Sequence, residues 1–406
     1  MPAPLDTSTP EMATPDTSTP DTATPDKSER LRIGILGRAS RPMFQRTGFL
    51  VVMALVIFVG PALMSDFRLS LMAKYLTFAI VALGLDLAWG YGGMLALGHG
   101  LFFGLGGYCM GMYLKLQEAG NGVPDFMSWS GVEELPLLWK PFRHAWIALP
   151  LAVLVPALVA TLLGFLVFRR RIRGAYFAIL SQALAASFVI LLVGQQGLTG
   201  GTNGLTNIRE LFGRDLTDPA TQQLLYMITA GVVGAMFLLN RQLVHSRYGR
   251  LLIAARDGED RVRFLGYDPA LVKVIAYAIS AGMAGLAGAL FVPIVGIISP
   301  AMLGIVPSIE MIIWVAIGGR GTLVGAIVGA VAVNYAKTSF SESYPSQWVY
   351  FQGALFIIVV MVIPKGMIGL VSQFRDSKVG TRLQVAFGRP IAAPATRSPA
   401  PEGVVT

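Results

Sequence analysis

Apolar and polar residues fall in long blocks along this chain. Ten stretches are almost free of charge: 48–65, 69–89, 92–115, 144–168, 174–194, 223–240, 274–295, 303–318, 322–340 and 348–365. A helix that crosses a bilayer needs about 20 mostly apolar residues. The pattern therefore predicts an all-α, polytopic membrane helical bundle of about 10 transmembrane helices. The third stretch is interrupted by glycines, and the eighth is short.

The polar ends are of a different kind. Residues 1–26 repeat a five-residue unit, with Pro10, Pro15, Pro20 and Pro25 set among Thr, Ser, Ala and acidic residues. Such a segment buries too little apolar surface to offset its ordering entropy. Residues 1–47 are expected to form a disordered Pro/Thr-rich tail and a basic juxtamembrane stretch. No apolar run resembling a signal peptide precedes residue 48. At the other end, 373–406 is expected to be a flexible tail, Pro/Ala-rich from 389 onward. The transmembrane domain is thereby bounded at 48–372.

Composition agrees with this division. The chain is 54% hydrophobic, with a mean hydropathy of +0.62, beyond the range of ordinary soluble domains. The formal charge is +9, but most basic residues flank apolar stretches, so topology control explains them better than nucleic-acid binding. Cys109 is the single cysteine, which excludes an intramolecular disulfide.

Lys and Arg near the stretch ends set the orientation. One cluster precedes 48, with Lys27, Arg30, Arg32, Arg38, Arg41 and Arg46. Others are Arg169, Arg170, Arg171 and Arg173, the 241–273 segment, and Lys365, Arg375, Lys378 and Arg382. With ten spans and both termini cytoplasmic, all four clusters fall inside. The two long loops of mixed charge, 116–143 and 195–222, then fall outside.

The segment 241–273 carries seven Lys/Arg and four Asp/Glu in a chain that is 14% charged. Apolar residues punctuate it: Leu251, Leu252, Ile253 and Ala255, then Val262, Phe264 and Leu265. One reading is a solvated loop that sets topology. The other is a pair of short amphipathic helices on the cytoplasmic surface that dock a soluble partner.

Several further motifs carry two readings each. Residues 90–108, GYGGMLALGHGLFFGLGGY, are dense in glycine. They suit either close helix packing or a bent, locally unwound helix lining a polar path, with Gly92, Gly93, His99, Phe102 and Phe103 on or beside it. Exposed backbone groups are tolerated at membrane depth only where protein or water satisfies them. Asp86 and Glu310 are ionisable residues inside apolar stretches, a costly placement that often marks function. Asp86 sits near the cytoplasmic boundary, where a helix end or His99 is an equally good structural partner. Glu310 lies deeper and is either structural or path-lining. Gly282, Gly285 and Gly288 recur at intervals of three, and GAIVG at 325–329 matches GxxxG, both expected to mark close helix contacts. The Gly/Thr/Asn-rich loop 199–213 reads as turn chemistry or as an outward-facing entrance for a polar neutral solute.

Other chemistry is not signalled. The three histidines, His99, His144 and His245, are dispersed, so no metal site is expected. GGRGTLVGA at 318–326 lacks the Lys-Ser/Thr of a phosphate loop, and no GxxxxGK[ST] occurs. The chain is not expected to be an enzyme or to hold a cofactor. Any ATP hydrolysis would come from another chain.

Three stretches carry a family resemblance: ALGLDLAWGYGGMLALGHGLFFGLGGY, RYGRLLIAARDGEDRVRFLGYD followed by AGMAGLAGAL, and SIEMIIWVAIGGRGTLVGAIVGA. They resemble ABC-importer permeases of the branched-chain amino acid type, specifically the LivM-like subunit, over about 48–372. Finer features resemble the urea-transport branch: GLDLAWGY, GGYCMGMYLKL, PDFM, TGGTNGLTNIRELFG and the stretch 339–366. Ala96 and Gly92 depart from the Ser and Thr common in the family.

The resemblance implies a bacterial inner-membrane permease in a heterodimer with a second related permease. It also implies two cytoplasmic ATP-binding subunits, a periplasmic solute-binding protein and the lipid bilayer as partners, and no nucleic acid. It identifies 247–267 as the segment that couples to an ATPase, with Leu251, Leu252 and Phe264 supplying apolar contact and Arg250, Arg256 and Asp257 polar contact. The expected function is ATP-driven import of urea or short-chain amides by alternating access. Branched-chain amino acid import is the alternative, and a passive urea channel a further one.

Overall fold

The computed structural model describes residues 64–343, except 173, together with positions 57, 60–62, 347, 350, 353 and 354. The two tails and most of the expected spans at 48–65 and 348–365 lie outside the described residues.

Ten helices organise the described chain. They are α1 Asp66–Leu85, α2 His99–Ala119, α3 Ala145–Arg169, α4 Ala175–Gly194, α5 Pro219–His245, α6 Arg247–Asp257, α7 Glu259–Phe264, α8 Pro269–Val295, α9 Ile305–Gly318 and α10 Leu323–Ser343. A π-helical turn, Asp86–Tyr91, extends α1. Among the described residues, six helices are long and apolar enough to cross a bilayer: α1 with its π turn, α3, α4, α5, α8 and α10. Each coincides with an expected span.

Two expectations need correction. The third span was placed from residue 92, but its helix begins at His99. Residues 92–98 are apolar by composition, yet Gly93 takes a left-handed conformation at φ +70°, and the chain there is not helical. The eighth span is only 14 residues, Ile305–Gly318. At 1.5 Å per residue that is about 21 Å, short of the roughly 30 Å hydrocarbon core.

Layering follows the sequence. Nearly every residue of α2 from His99 to Leu116 is buried, so α2 is the central helix and meets protein on all sides. The outer helices α3 and α4 turn Leu154, Leu158, Leu162, Ile179 and Ile190 outward. That reverses the usual placement in water-soluble domains and suits lipid or another membrane helix.

Small residues let the core helices touch backbone to backbone. A Cβ at Gly106 of α2 would run into the Gly285 backbone of α8, and one at Gly285 would run into the Ala152 carbonyl of α3. A Cβ at Gly288 would strike the Phe103 carbonyl of α2. The α9–α10 hairpin closes likewise, with Gly318 against Gly325 and Gly329 against the Trp314 carbonyl. The glycine intervals read from the sequence are thus contact surfaces.

The loops gather at two ends. At one end the 120–144 and 195–218 loops meet: the indole of Trp139 donates to the Leu198 carbonyl at 2.9 Å, and Lys115 donates to the Asn207 carbonyl at 3.2 Å. Leu205 pairs with Ile298 there in an isolated antiparallel bridge. A two-residue hairpin, Glu210–Leu211 with Arg214–Asp215, completes this end. Residues 168–172 and 174, the 241–268 segment and residues 86–98 gather at the opposite end.

Candidate functional site

The charged segment folds as two short helices. Ser246 caps α6, its Oγ accepting from Gly249 N at 3.3 Å. Gly258 separates α6 from α7, and Asp268 caps α8 by accepting from Ala270 N at 2.9 Å. Capping of this kind satisfies amides that a helix start leaves unpaired. One stripe of α6, Gly249, Leu252 and Ala255, is buried, while Arg247, Arg250 and Asp257 face outward. The phenol of Tyr248 donates to the Val272 carbonyl at 2.8 Å and fastens α6 to α8.

The six residues assigned to ATPase contact therefore divide. Leu252 is fully buried and packs onto the bundle, and Leu251 is half-buried. Arg250 and Asp257 are exposed. Arg256 donates sideways to Asp257 Oδ1 at 2.8 Å, which holds the Asp257 carboxyl below the usual carboxylate range. Its Nη1 reaches back to the Gly90 carbonyl at 2.8 Å. Phe264 is 92% exposed, and its neighbours Leu265 and Tyr267 are also exposed. These three form an apolar surface patch at the end of α7. Because Phe264 packs on nothing within the fold, Phe264→Asp should leave the purified permease as heat-stable as wild type. ATPase co-purification is expected to fall several-fold, since an introduced charge opposes an apolar contact.

The segment that Arg256 grips is the break between α1 and α2. In the π turn, Gly92 N donates to Leu87 O at 3.1 Å and Met94 N to Ala88 O at 3.0 Å, which leaves the Gly90 carbonyl without a helical partner. Side chains and loops from elsewhere satisfy the other freed groups. Leu97 N donates to Ser181 Oγ of α4 at 3.0 Å, and Gly100 N donates to Ser308 Oγ of α9 at 3.0 Å. Asp86, fully buried, accepts from Gly321 N at 2.6 Å. Irregular backbone at membrane depth requires partners of this kind. Asp86 thus serves a loop before α10, a structural partner at a helix end. The segment 90–108 is thus interrupted at 92–98, before α2 begins, and its glycines are closely packed.

His99, Phe102 and Phe103 sit in the packed interior. His99 Nε2 lies 2.7 Å from Ser280 Oγ of α8, and its ring stands edge-on to Phe102 and Tyr277. Phe103 packs between Phe78 and Phe291. Gly92 lies against Leu252, and Gly93 against the stem of Arg256. These two glycines therefore contact α6 directly.

Glu310 belongs to a separate place. Both its carboxylate oxygens accept from Lys337 Nζ of α10 at 2.7 Å. The pair borders a cavity of about 340 Å³ between α1, α9 and α10, lined also by Lys74, Tyr75, Asn334 and Thr338. Lys74 and Lys337 were missed in the sequence reading. The signal was present, since each is a lone cation inside an apolar span, but averaging over 20 residues hides it. A second cavity of about 290 Å³ lies at the end that holds the charged island, the 241–273 segment. It is bordered by Gly93, Phe168, Arg256 and the Glu259–Lys273 ion pair.

Comparison with known proteins fits this architecture. The family described as the branched-chain amino acid transport system permease component matches residues 67–360, so the chain belongs to that family of multi-span membrane permeases. The high-affinity branched-chain amino acid transport system permease protein LivM of Salmonella typhimurium is 27% identical over 343 residues, covering 79% of this chain and 74% of the relative. LivM of Escherichia coli K12 matches at the same identity and coverage. LivH of Salmonella typhimurium is 23% identical over 310 residues, covering 72% of this chain and 91% of the relative. No solved structure matches the chain significantly.

Proposed function

We propose that this chain is one permease subunit of an ATP-driven importer for urea or short-chain amides. It works beside a second related permease, two cytoplasmic ATPases and a periplasmic solute-binding protein in a bacterial inner membrane. The observation that carries the coupling is the Arg256–Gly90 hydrogen bond, reinforced by Leu252 against Gly92. A soluble ATPase that moves α6 and α7 would pull on the unwound segment 86–98 without any intermediate element. That segment is bonded to α4 and to the loop before α10, and the first turn of α2 that follows it is bonded to α9, so its displacement is felt across the bundle. Alternating access requires an element that can be displaced between two arrangements in this way.

The solute assignment draws on charge. A zwitterionic amino acid needs both an acidic and a basic partner free of other obligations. At membrane depth Glu310 commits both oxygens to Lys337, and Asp86 is fully buried with one oxygen on Gly321 N. Neutral urea needs donors and acceptors instead. The stretches that resemble the urea branch support the same solute. The second reading is a branched-chain amino acid, favoured by the names of the LivM and LivH relatives.

The test is uptake by the complete complex in proteoliposomes, with the cognate binding protein and either labelled urea or labelled leucine outside. ATP-dependent urea uptake is expected. Uptake of leucine alone would move the assignment to amino acids, and urea entry without ATP would indicate a channel.

A further inference from the structure

We propose that the cavity between α1, α9 and α10 is a solute-binding station on the transport path, with Lys74 as the group that holds the solute's carbonyl oxygen. This rests on the reading of the chain as a permease for a small carbonyl diamide or amide.

Lys74 is the anomaly that points to it. It lies about 12 Å along α1 from Asp66, taking 1.5 Å per residue, just before the uncharged run LTFAIVALGL at 76–85. An ammonium at that depth is costly unless paired or wetted. Lys337, the neighbouring cation, has taken the one nearby buried carboxylate, that of Glu310. Among the described residues Lys74 makes no side-chain hydrogen bond or ion pair. The cavity of about 340 Å³ opens beside its ammonium.

The rest of the lining complements a carbonyl diamide. Asn334 donates its Nδ2 to the Ala330 carbonyl at 2.8 Å, which leaves its Oδ1 to accept. Thr338 donates its hydroxyl hydrogen to the Asn334 carbonyl at 3.1 Å, fixing that turn of α10. Phe78 supplies a flat apolar wall backed by Trp314, with ring centroids 4.8 Å apart. Urea presents one carbonyl acceptor and four N–H donors on a planar frame. A single strong donor, a carbonyl-type acceptor and a flat wall match those features. The Glu310–Lys337 pair is neutral as a unit, and the exposed Glu342 also lines the cavity. The station lies at the end opposite the α6–α7 island, because Arg256 grips the far end of α1.

The experiment compares Lys74→Met with wild type in the assembled complex in proteoliposomes. It measures labelled urea taken up per ATP hydrolysed, with the ATPase rate stimulated by loaded binding protein as the control. Lys74→Met is expected to lower urea uptake per ATP at least tenfold while the stimulated ATPase rate stays within twofold. Lys74→Gln, which keeps a donor, is expected to recover part of the loss. An unchanged ratio in Lys74→Met overturns the station. If Lys74→Met does not assemble, Lys74→Gln and Asn334→Leu decide by the same ratio, and unchanged values in both overturn it. Failure of the solute reading shows up separately, as wild-type complex that takes up leucine and no urea. The same ratio is then read with leucine, and an unchanged value there removes the station as well.

Discussion

Arg256→Met is expected to lower ATP-dependent solute uptake by tenfold or more, while the complex still assembles and still hydrolyses ATP. The reason is geometric. The Gly90 carbonyl is released by the π turn and is claimed by Arg256 Nη1 at 2.8 Å. A hydrogen bond from a charged donor contributes about 1.5–3 kcal/mol when it is shielded. The Arg256 side chain is 33% exposed, so the lower part of that range applies, and 1.4 kcal/mol is about tenfold in an equilibrium. Removing the bond loosens a polar link between α6 and the unwound segment. Leu252 remains buried on Gly92, so α6 keeps its seat. Arg256→Lys keeps the charge but loses the planar fork that reaches Asp257 and Gly90 together, and an intermediate loss is expected. The measurement is solute uptake and phosphate release on the same proteoliposomes. A ratio unchanged in Arg256→Met would show that the contact transmits nothing.

The parts of this architecture that were legible in the sequence are those set by composition over many residues. Stretches such as 144–168 and 274–295 announce themselves because about 20 apolar residues have no alternative placement. The island was legible because dense charge between apolar blocks has to lie outside the bilayer. The glycine contacts at 282, 285 and 288 were legible because helical spacing puts small residues on one face.

What escaped depends on single residues or on distant partners. The start of α2 was misplaced because hydropathy scores Gly92–Gly98 as apolar and is blind to a left-handed glycine. Leu252 and Phe264 looked alike in sequence, as apolar residues among charges. Only the packing of α6 against the π turn sends one inward while the other remains in the open. Arg256 looked like a surface contact, and its bond to Gly90 spans 166 positions of chain. Glu310 was noticed, but its partner Lys337 is on the next helix, and spacing cannot show whether α9 and α10 align those two side chains. His99, Phe102 and Phe103 were drawn to the path by their glycine-rich setting, and the structure places them in an aromatic core.

Gly288→Val is expected to remove most of the folded permease from detergent extracts, the largest stability effect among these substitutions. The contact involved is between backbones. A Cβ at Gly288 meets the Phe103 carbonyl and lies 2.9 Å from Gly107 N, so no rotamer change relieves it. Helices α2 and α8 would have to separate, and the gap would reach Phe103, Phe291 and Phe78, which stack beside that contact. Inserting methyl groups into a closely packed core costs about 1–3 kcal/mol, sometimes more. The marginal stability of folded proteins, about 5–15 kcal/mol, leaves little room for such a change at the central helix. Gly231→Ala on α5 is the control, because nothing lies within 4 Å of its added Cβ. Replacing a helical glycine by alanine at such a site contributes up to about 1 kcal/mol through helix propensity. Thermal unfolding followed by size-exclusion chromatography should therefore show Gly231→Ala at or above wild type and Gly288→Val far below it. Equal losses in both would mean that mid-helix glycines matter here for flexibility rather than for close approach. In that case the α2–α8 contact would not be what holds the bundle together.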